Sequence, residues 1–171
     1  MAVQNQIVIL GQANPEFCSS GVLVASGTTA SIARSTPTKG ADAAAASWTG
    51  AVALMADGDG STAQRFTGIA KSDSTETASA AGEVDLWLPL PGYVYAARAK
   101  TSSTADTAAE IQALFGKRVV FDLTSSLWTV DAAATDAVAN CVVIIGGDPN
   151  TKVLHFVYRP SGTMLGFTIS A

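Results

Sequence analysis

The sequence predicts a mainly β protein, a β-sandwich or β-barrel with one short α-helix and an extended N-terminal arm. Three observations carry this: many short runs that alternate or are β-branched, Gly/Pro/Asp clusters between them, and a single segment where helix start, stripe and stop signals coincide. The 171 residues suffice for one domain with an extra arm and for a substantial apolar core. Two regions are expected: an N-terminal arm and long loop over residues 1–50, and a β-domain over 51–171.

In chain order, 6–11 and 22–26 are short β-prone runs, whereas the Ser/Thr/Ala/Gly tract 27–47, with Pro37 and Gly40, has no period and reads as a long loop. Strands are expected over 51–55 and 65–71, separated by Asp57-Gly-Asp-Gly60, which reads as a hairpin turn using Gly for positive φ. After a polar loop over 72–81, residues 83–88 alternate: Val84, Leu86 and Leu88 share one face, Asp85 and Trp87 the other. Pro89-Leu-Pro-Gly92 interrupts, and 93–100 alternates again, so the two runs are expected to pair as a hairpin. The helix follows. Thr107 and Glu110 form a T-x-x-E capping box, Ala108, Ile111, Leu114 and Phe115 make a narrow apolar stripe, and Gly116 stands at the C′ position. Strands are then expected over 117–123, 126–130, 141–145, 152–159 and 163–169. The third of these is apolar throughout and should be central, and 146–150 should turn the chain into the fourth.

Composition narrows the function. Ten Lys and Arg against fourteen Asp and Glu give a net charge of −4, so no broad electropositive surface exists for phosphates and no nucleic-acid partner is expected. Only 14% of residues are charged. Charge normally keeps a monomer unassociated, so a thin supply points to a surface covered by other copies or by a host scaffold. No membrane partner is expected either, since the longest apolar stretch, 137–147, falls short of the about 20 residues a spanning helix needs. Cys18 and Cys141 are far apart, with no CxxC, and read as buried or half-buried small apolar residues.

Catalysis needs convergent groups, and the inventory is poor. His155 is the sole histidine and lies within an alternating strand. No G-x-S-x-G turn accompanies it, so no catalytic residue is assigned and the chain is not read as an enzyme. The Asp57-Gly-Asp-Gly60 cluster suggests calcium, but residues 61–71 supply no further carboxylate; no metal or cofactor is expected. Exposed aromatic rings can stack on sugars, which makes Trp48, Trp87, Trp128, Tyr93, Tyr95 and Phe66 worth weighing. Alternation puts Tyr93 and Tyr95 with Ala97 and Ala99, as in a core, while Trp87 shares a face with Glu83 and Asp85 and reads as exposed, an interface anchor.

The stretches Phe66-Thr-Gly-Ile-Ala70, Gly82-Glu-Val-Asp-Leu-Trp-Leu-Pro-Leu-Pro-Gly92, Gly116-Lys-Arg-Val-Val-Phe-Asp-Leu-Thr124 and Trp128-Thr-Val-Asp-Ala-Ala-Ala-Thr-Asp136 resemble, in texture and order over about residues 60–160, the capsid decoration (cement) proteins of tailed bacteriophages. The resemblance implies a homotrimer on the outer surface of the virion that binds the major capsid protein at three-fold positions and clamps neighbouring capsomers. The alternative is a receptor- or carbohydrate-binding β-domain of a phage fibre or head appendage. Candidate interface residues are Ile7, Val8, Ile9, Leu10, Trp48, Trp87 and Tyr93. The first four form an uncharged cluster at a chain end with two possible fates, packing into the domain's own sheet or pairing with a strand of a neighbouring subunit or of the capsid protein, and the absence of charge favours the second.

Overall fold

The computed structural model describes residues 7–10, 18–24, 32–40, 51–60, 66–77, 79–90 and 92–159. Within them the β-prone runs become β1 (Val8–Leu10), β2 (Cys18–Val24), β3 (Pro37–Gly40), β4 (Ala51–Leu54), β5 (Phe66–Ala70), β6 (Gly82–Trp87), β7 (Val94–Arg98), β8 (Arg118–Thr124), β9 (Leu127–Asp131), β10 (Val142–Asp148) and β11 (Val153–Tyr158). One α-helix, α1 (Ala108–Leu114), stands between β7 and β8, preceded by a 3-10 turn at Ser102–Thr104. The protein is mainly β, built from one closed barrel and one curled sheet.

The closed barrel runs β2-β4-β3-β5-β6 and returns to β2. Its β2–β4 pair is parallel and its other pairs antiparallel. Val24, Ile32, Val52, Ala70, Val84 and Leu86 fill the interior, with Val84 and Leu86 coming from the face of β6 that alternation marks as apolar. Gly68 has φ +152°, and a Cβ there would clash with the backbone carbonyl of Trp87. Only glycine therefore lets β5 and β6 approach this closely.

The second sheet has the order β1-β7-β11-β10-β8-β9. It curls until β9 meets the end of β7 through an isolated parallel bridge, Ala99 to Val130. Its core holds Tyr95, Val119, Phe121, Trp128, Val130, Ile144, Leu154, Phe156 and Tyr158, together with Met55, Phe66 and Ile69 from the first barrel's chain segments. Phe66 stacks on Tyr158 at 4.4 Å between ring centroids and lies 6.0 Å from both Tyr95 and Phe121. One aromatic cluster thus bridges the two sheets, and rings at such spacings add to plain area burial. The apolar run that predicts a central strand is β10, flanked by β11 and β8. Helix α1 carries both halves of the predicted capping box: Glu110 N donates to the Thr107 hydroxyl at 3.2 Å, and Thr107 N to the Glu110 carboxylate at 3.0 Å. The helix lies on β10, where Ile111 Cδ1 sits 3.3 Å from the position a Cβ on Gly147 would take.

Several sequence expectations are corrected. The tract 27–47 is not all loop, because Pro37–Gly40 is a barrel strand. The boundary after residue 50 has no counterpart, since β2 and β3 close one barrel with β4, β5 and β6. Residues 83–88 and 93–100 form no hairpin: β6 belongs to the barrel and β7 to the other sheet, and the Pro-rich segment carries the chain between them. The segment 57–60 joins β4 to β5, which both pair with β3 rather than with each other. It borders the second sheet instead, with Phe121 N donating to Asp59 O at 2.7 Å and Cys141 N to Gly60 O at 2.8 Å. Strand β10 continues through Gly146, a bulge at φ +155°, to Asp148, so the turn is later than predicted. The expected strand 163–169 lies outside the described residues.

The arm is also corrected. β1 pairs antiparallel with β7 of its own chain, Val8 opposite Ala96, Ile9 opposite Tyr95 and Leu10 opposite Val94. Ile7 is 1% exposed and belongs to the core. Uncharged side chains at a chain end are satisfied by the chain's own sheet as well as by a partner, and the intramolecular strand is the nearer.

Candidate functional site

The predicted interface residues fall around the crossover from barrel to curled sheet. Trp87 ends β6, opposite Ile69 of β5 and Cys18 of β2. Tyr93 precedes β7, and its N–H donates to Leu90 O at 3.3 Å to close the turn at the crossover. Leu10 of β1 stands opposite Val94, next to Tyr93. Trp87 and Tyr93 are both half-buried and pack against the large core, which leaves Trp87 less exposed than alternation suggests. The Lys71 ammonium lies 5.2 Å from its ring centroid, a cation–π contact. Among the described residues β1 is the terminal strand of its sheet, so its outer edge carries no strand partner. The structure thus sets Tyr93 next to the partner strand of β1, with Trp87 at the other end of the crossover segment. Ile7 is withdrawn into the core, and Trp48 lies outside the described residues.

Two exposed apolar side chains escaped the sequence reading. Phe115, assigned to the helix stripe, is 68% exposed, and Val138 is 72% exposed. Phe115 fails to follow Ile111 because α1 ends at Leu114 and Phe115 turns to ψ 126°, so helical periodicity no longer directs it. Val138 lies in the loop tied to the start of β8 by Asp136, whose carboxylate accepts from Arg118 Nε at 2.7 Å. Arg159 Nη1 also donates to Val138 O at 3.1 Å. The sequence signal for Val138 is faint: one valine in an Ala-rich loop.

The polar groups are mostly used by the fold itself. Asp59 accepts from Lys39 Nζ at 2.7 Å and from Ala56 N at 2.6 Å, and Asp57 accepts from Leu123 N at 3.2 Å. Both acids of the suspected calcium cluster therefore serve the turn. Lys100 Nζ bridges Asp122 at 2.7 Å and Asp131 at 3.2 Å, and these hydrogen bonds raise its pKa, the one to Asp122 most. Burial pushes the Asp122 carboxyl up, but Lys100 and Thr124 outweigh it, leaving the group below its ordinary value. The Arg118 guanidinium likewise holds Asp136 low. Burial drives the phenols of Tyr95 and Tyr158 well above their usual range, and neither hydroxyl has a hydrogen-bond partner among the described residues.

His155 is half-buried on β11 between Ala96 of β7 and Gly146 of β10, with neither a nucleophile nor an acid opposite. Among the described residues no three His, Cys, Asp or Glu side chains are grouped to hold a metal, and no helix is long and apolar enough to cross a membrane. The crossover region presents the outer edge of β1 on the far side of β7, with half-buried Trp87 and Tyr93 at the two ends of the segment that passes between the sheets. Comparison of the chain with protein-family models, curated proteins and solved structures finds no match.

Proposed function

We propose that this chain is a structural virion protein that binds the outside of a tailed-phage head, as a homotrimer, and cements neighbouring major capsid protein subunits. The observation that carries the reading is the uncharged outer edge of β1, whose partner strand β7 follows directly on half-buried Tyr93. Such an edge can take up an extended segment of another protein through main-chain hydrogen bonds, with Tyr93 as an anchor. The acidic balance of the chain favours the outer face of the shell over the DNA-filled interior.

The mechanism is linkage. A protein that binds only the expanded shell stabilises it by about 2.7 kcal/mol per site when its free concentration is about a hundred times Kd. Three linked attachments per trimer add avidity. No side-chain chemistry is required, and the reading assigns no catalytic residue, metal or cofactor.

The test is co-sedimentation with expanded empty heads, alongside a glycan array. Binding to heads with no glycan signal supports the reading. Glycan binding without head binding overturns it in favour of the receptor- or carbohydrate-binding alternative, against which Lys71, over the Trp87 ring where a sugar would stack, already weighs.

A further inference from the structure

The curled sheet nearly closes on itself, and the way it closes is uneven. β11 pairs with β7 over four residues and with β10 over six, β8 with β9 over five, β1 with β7 over three, and β10 with β8 over two, a junction extended by the bonds Ile144 N to Lys117 O and Gly116 N to Ile144 O. Where β9 returns to β7, the backbone contributes an isolated parallel bridge, Ala99 to Val130, of which the hydrogen bond from Lys100 N to Val130 O at 2.9 Å is part. Side chains add to this closure. From the residue after Ala99, the Lys100 ammonium reaches Asp131 on β9 and then Asp122 on β8, spanning the seam and the strand beyond it.

The two ends of this strap are unequal. The Lys100 side chain is 39% exposed and that of Asp122 only 4%. Asp122 is set in place by the hydroxyls of Thr124, at 2.5 Å, and Thr129, at 3.2 Å. A buried carboxylate so placed has a large desolvation cost that its ammonium partner offsets, and removing the partner leaves that cost uncompensated. Directly beneath the seam lie Val130, Trp128 and Ala99, all buried. Separation of β9 from β7 therefore wets apolar surface and frees a strand edge at once.

We propose that the β7–β9 seam is a latch: the curled sheet opens there before it opens anywhere else, and the ion pairs of Lys100 with Asp122 and Asp131 set how often. The closed form hides the edge of β9. The open form presents it, with Trp128 accessible, as a pairing edge of the kind that sheets ordinarily protect. This holds whether or not the chain coats a capsid, because it rests on the sheet alone.

Native-state amide hydrogen exchange on the full chain tests it. In the wild type the Lys100 amide, bonded to Val130 O, exchanges at least about tenfold faster than the Ile144 amide, which is bonded to Lys117 O within the same sheet. In Lys100→Met, which keeps the aliphatic stem and drops the charge, exchange at Lys100's position rises by a further factor of about ten relative to Ile144, while Lys100→Arg stays near wild type. Equal wild-type exchange at Lys100 and Ile144 overturns the proposal. So does a Lys100→Met chain in which both amides accelerate by the same factor, because that signals global loss rather than a seam. If Lys100→Met does not fold, the wild-type comparison and the Lys100→Arg chain decide the matter, with unequal exchange preserved in Lys100→Arg required.

Discussion

Phe66 tests whether the two sheets act as one body. It comes from β5 of the closed barrel, yet its ring is 1% exposed among Tyr95, Phe121 and Tyr158 of the curled sheet. Phe66→Ala removes a buried ring and leaves a cavity that rings on opposite strands cannot collapse to fill. Changes of this kind cost about 3–5 kcal/mol, and loss of its ring contacts places this one toward the upper end. Against a domain stability of about 5–15 kcal/mol that is a large fraction. The distinctive effect is on cooperativity, because Phe66 ties one sheet to the other. The matched control is Leu86→Ala in the separate barrel core, expected to cost about 2–5 kcal/mol without touching the aromatic cluster. A urea titration followed by the amide resonances of Val84 in the barrel and Ile144 in the curled sheet reads both. Wild type and Leu86→Ala should give coincident transitions at both positions; Phe66→Ala should split them, the barrel melting first. A single coincident transition in Phe66→Ala, displaced by less than about 1 kcal/mol, would refute the coupling, since that is below any measured cost of emptying a well-packed ring site.

Tyr95→Phe and Tyr158→Phe each delete a buried hydroxyl that has no partner among the described residues, so each should leave stability unchanged or raise it by up to about 1–3 kcal/mol; a fall in Tm on calorimetry would mean that the phenol is bonded to ordered water or to another part of the chain. Ile7→Ala should cost about 2–5 kcal/mol, and removing residues 1–12 should lower Tm outright, the reverse of what an arm held by a partner predicts; an unchanged Tm would show that β1 and Ile7 contribute nothing to the fold. Because the Arg118 guanidinium holds the Asp136 carboxyl below its ordinary value, their pairing contributes in full above the usual carboxylate range and is lost as pH falls through the lowered value. Carboxyl-carbon NMR should find Asp136 titrating below an unpaired aspartate, with Arg118→Gln moving it back up.

Much of the fold was legible because its signals are local. The capping box of Thr107 and Glu110 needs only residues three apart, and the alternation of β6, β8, β9 and β11 needs only one strand with a wet face and a dry one. β3 was not legible. Its buried Thr38 is acceptable in a barrel wall only because its hydroxyl bonds Thr67 at 2.7 Å and Gly68 O at 2.9 Å, partners that no window around residue 38 contains. The supposed hairpin of β6 and β7 failed for a related reason: alternation tells which face of a strand is buried, not which sheet the strand joins. At the candidate site, Trp87, Tyr93 and the apolar run 7–10 could each be singled out from sequence, but their placement around the crossover depends on the β1–β7 pairing. Phe115 was misjudged because it is the C-cap residue, where ψ 126° turns it off the helical stripe.

The partnership of β1 with β7 also sets an order of events during synthesis. β1 leaves the ribosome before its partner, which is not made until residue 96. At about 5–20 residues per second this leaves an apolar segment waiting for several seconds, and longer still before β11 arrives to complete the sheet around β7. On a polysome, the β7 of the chain ahead is finished before a nascent chain's own. An N-terminal strand that docks there instead gives an exchanged assembly with every hydrogen bond of the correct one, and a low-cost route from a single chain to an intertwined oligomer.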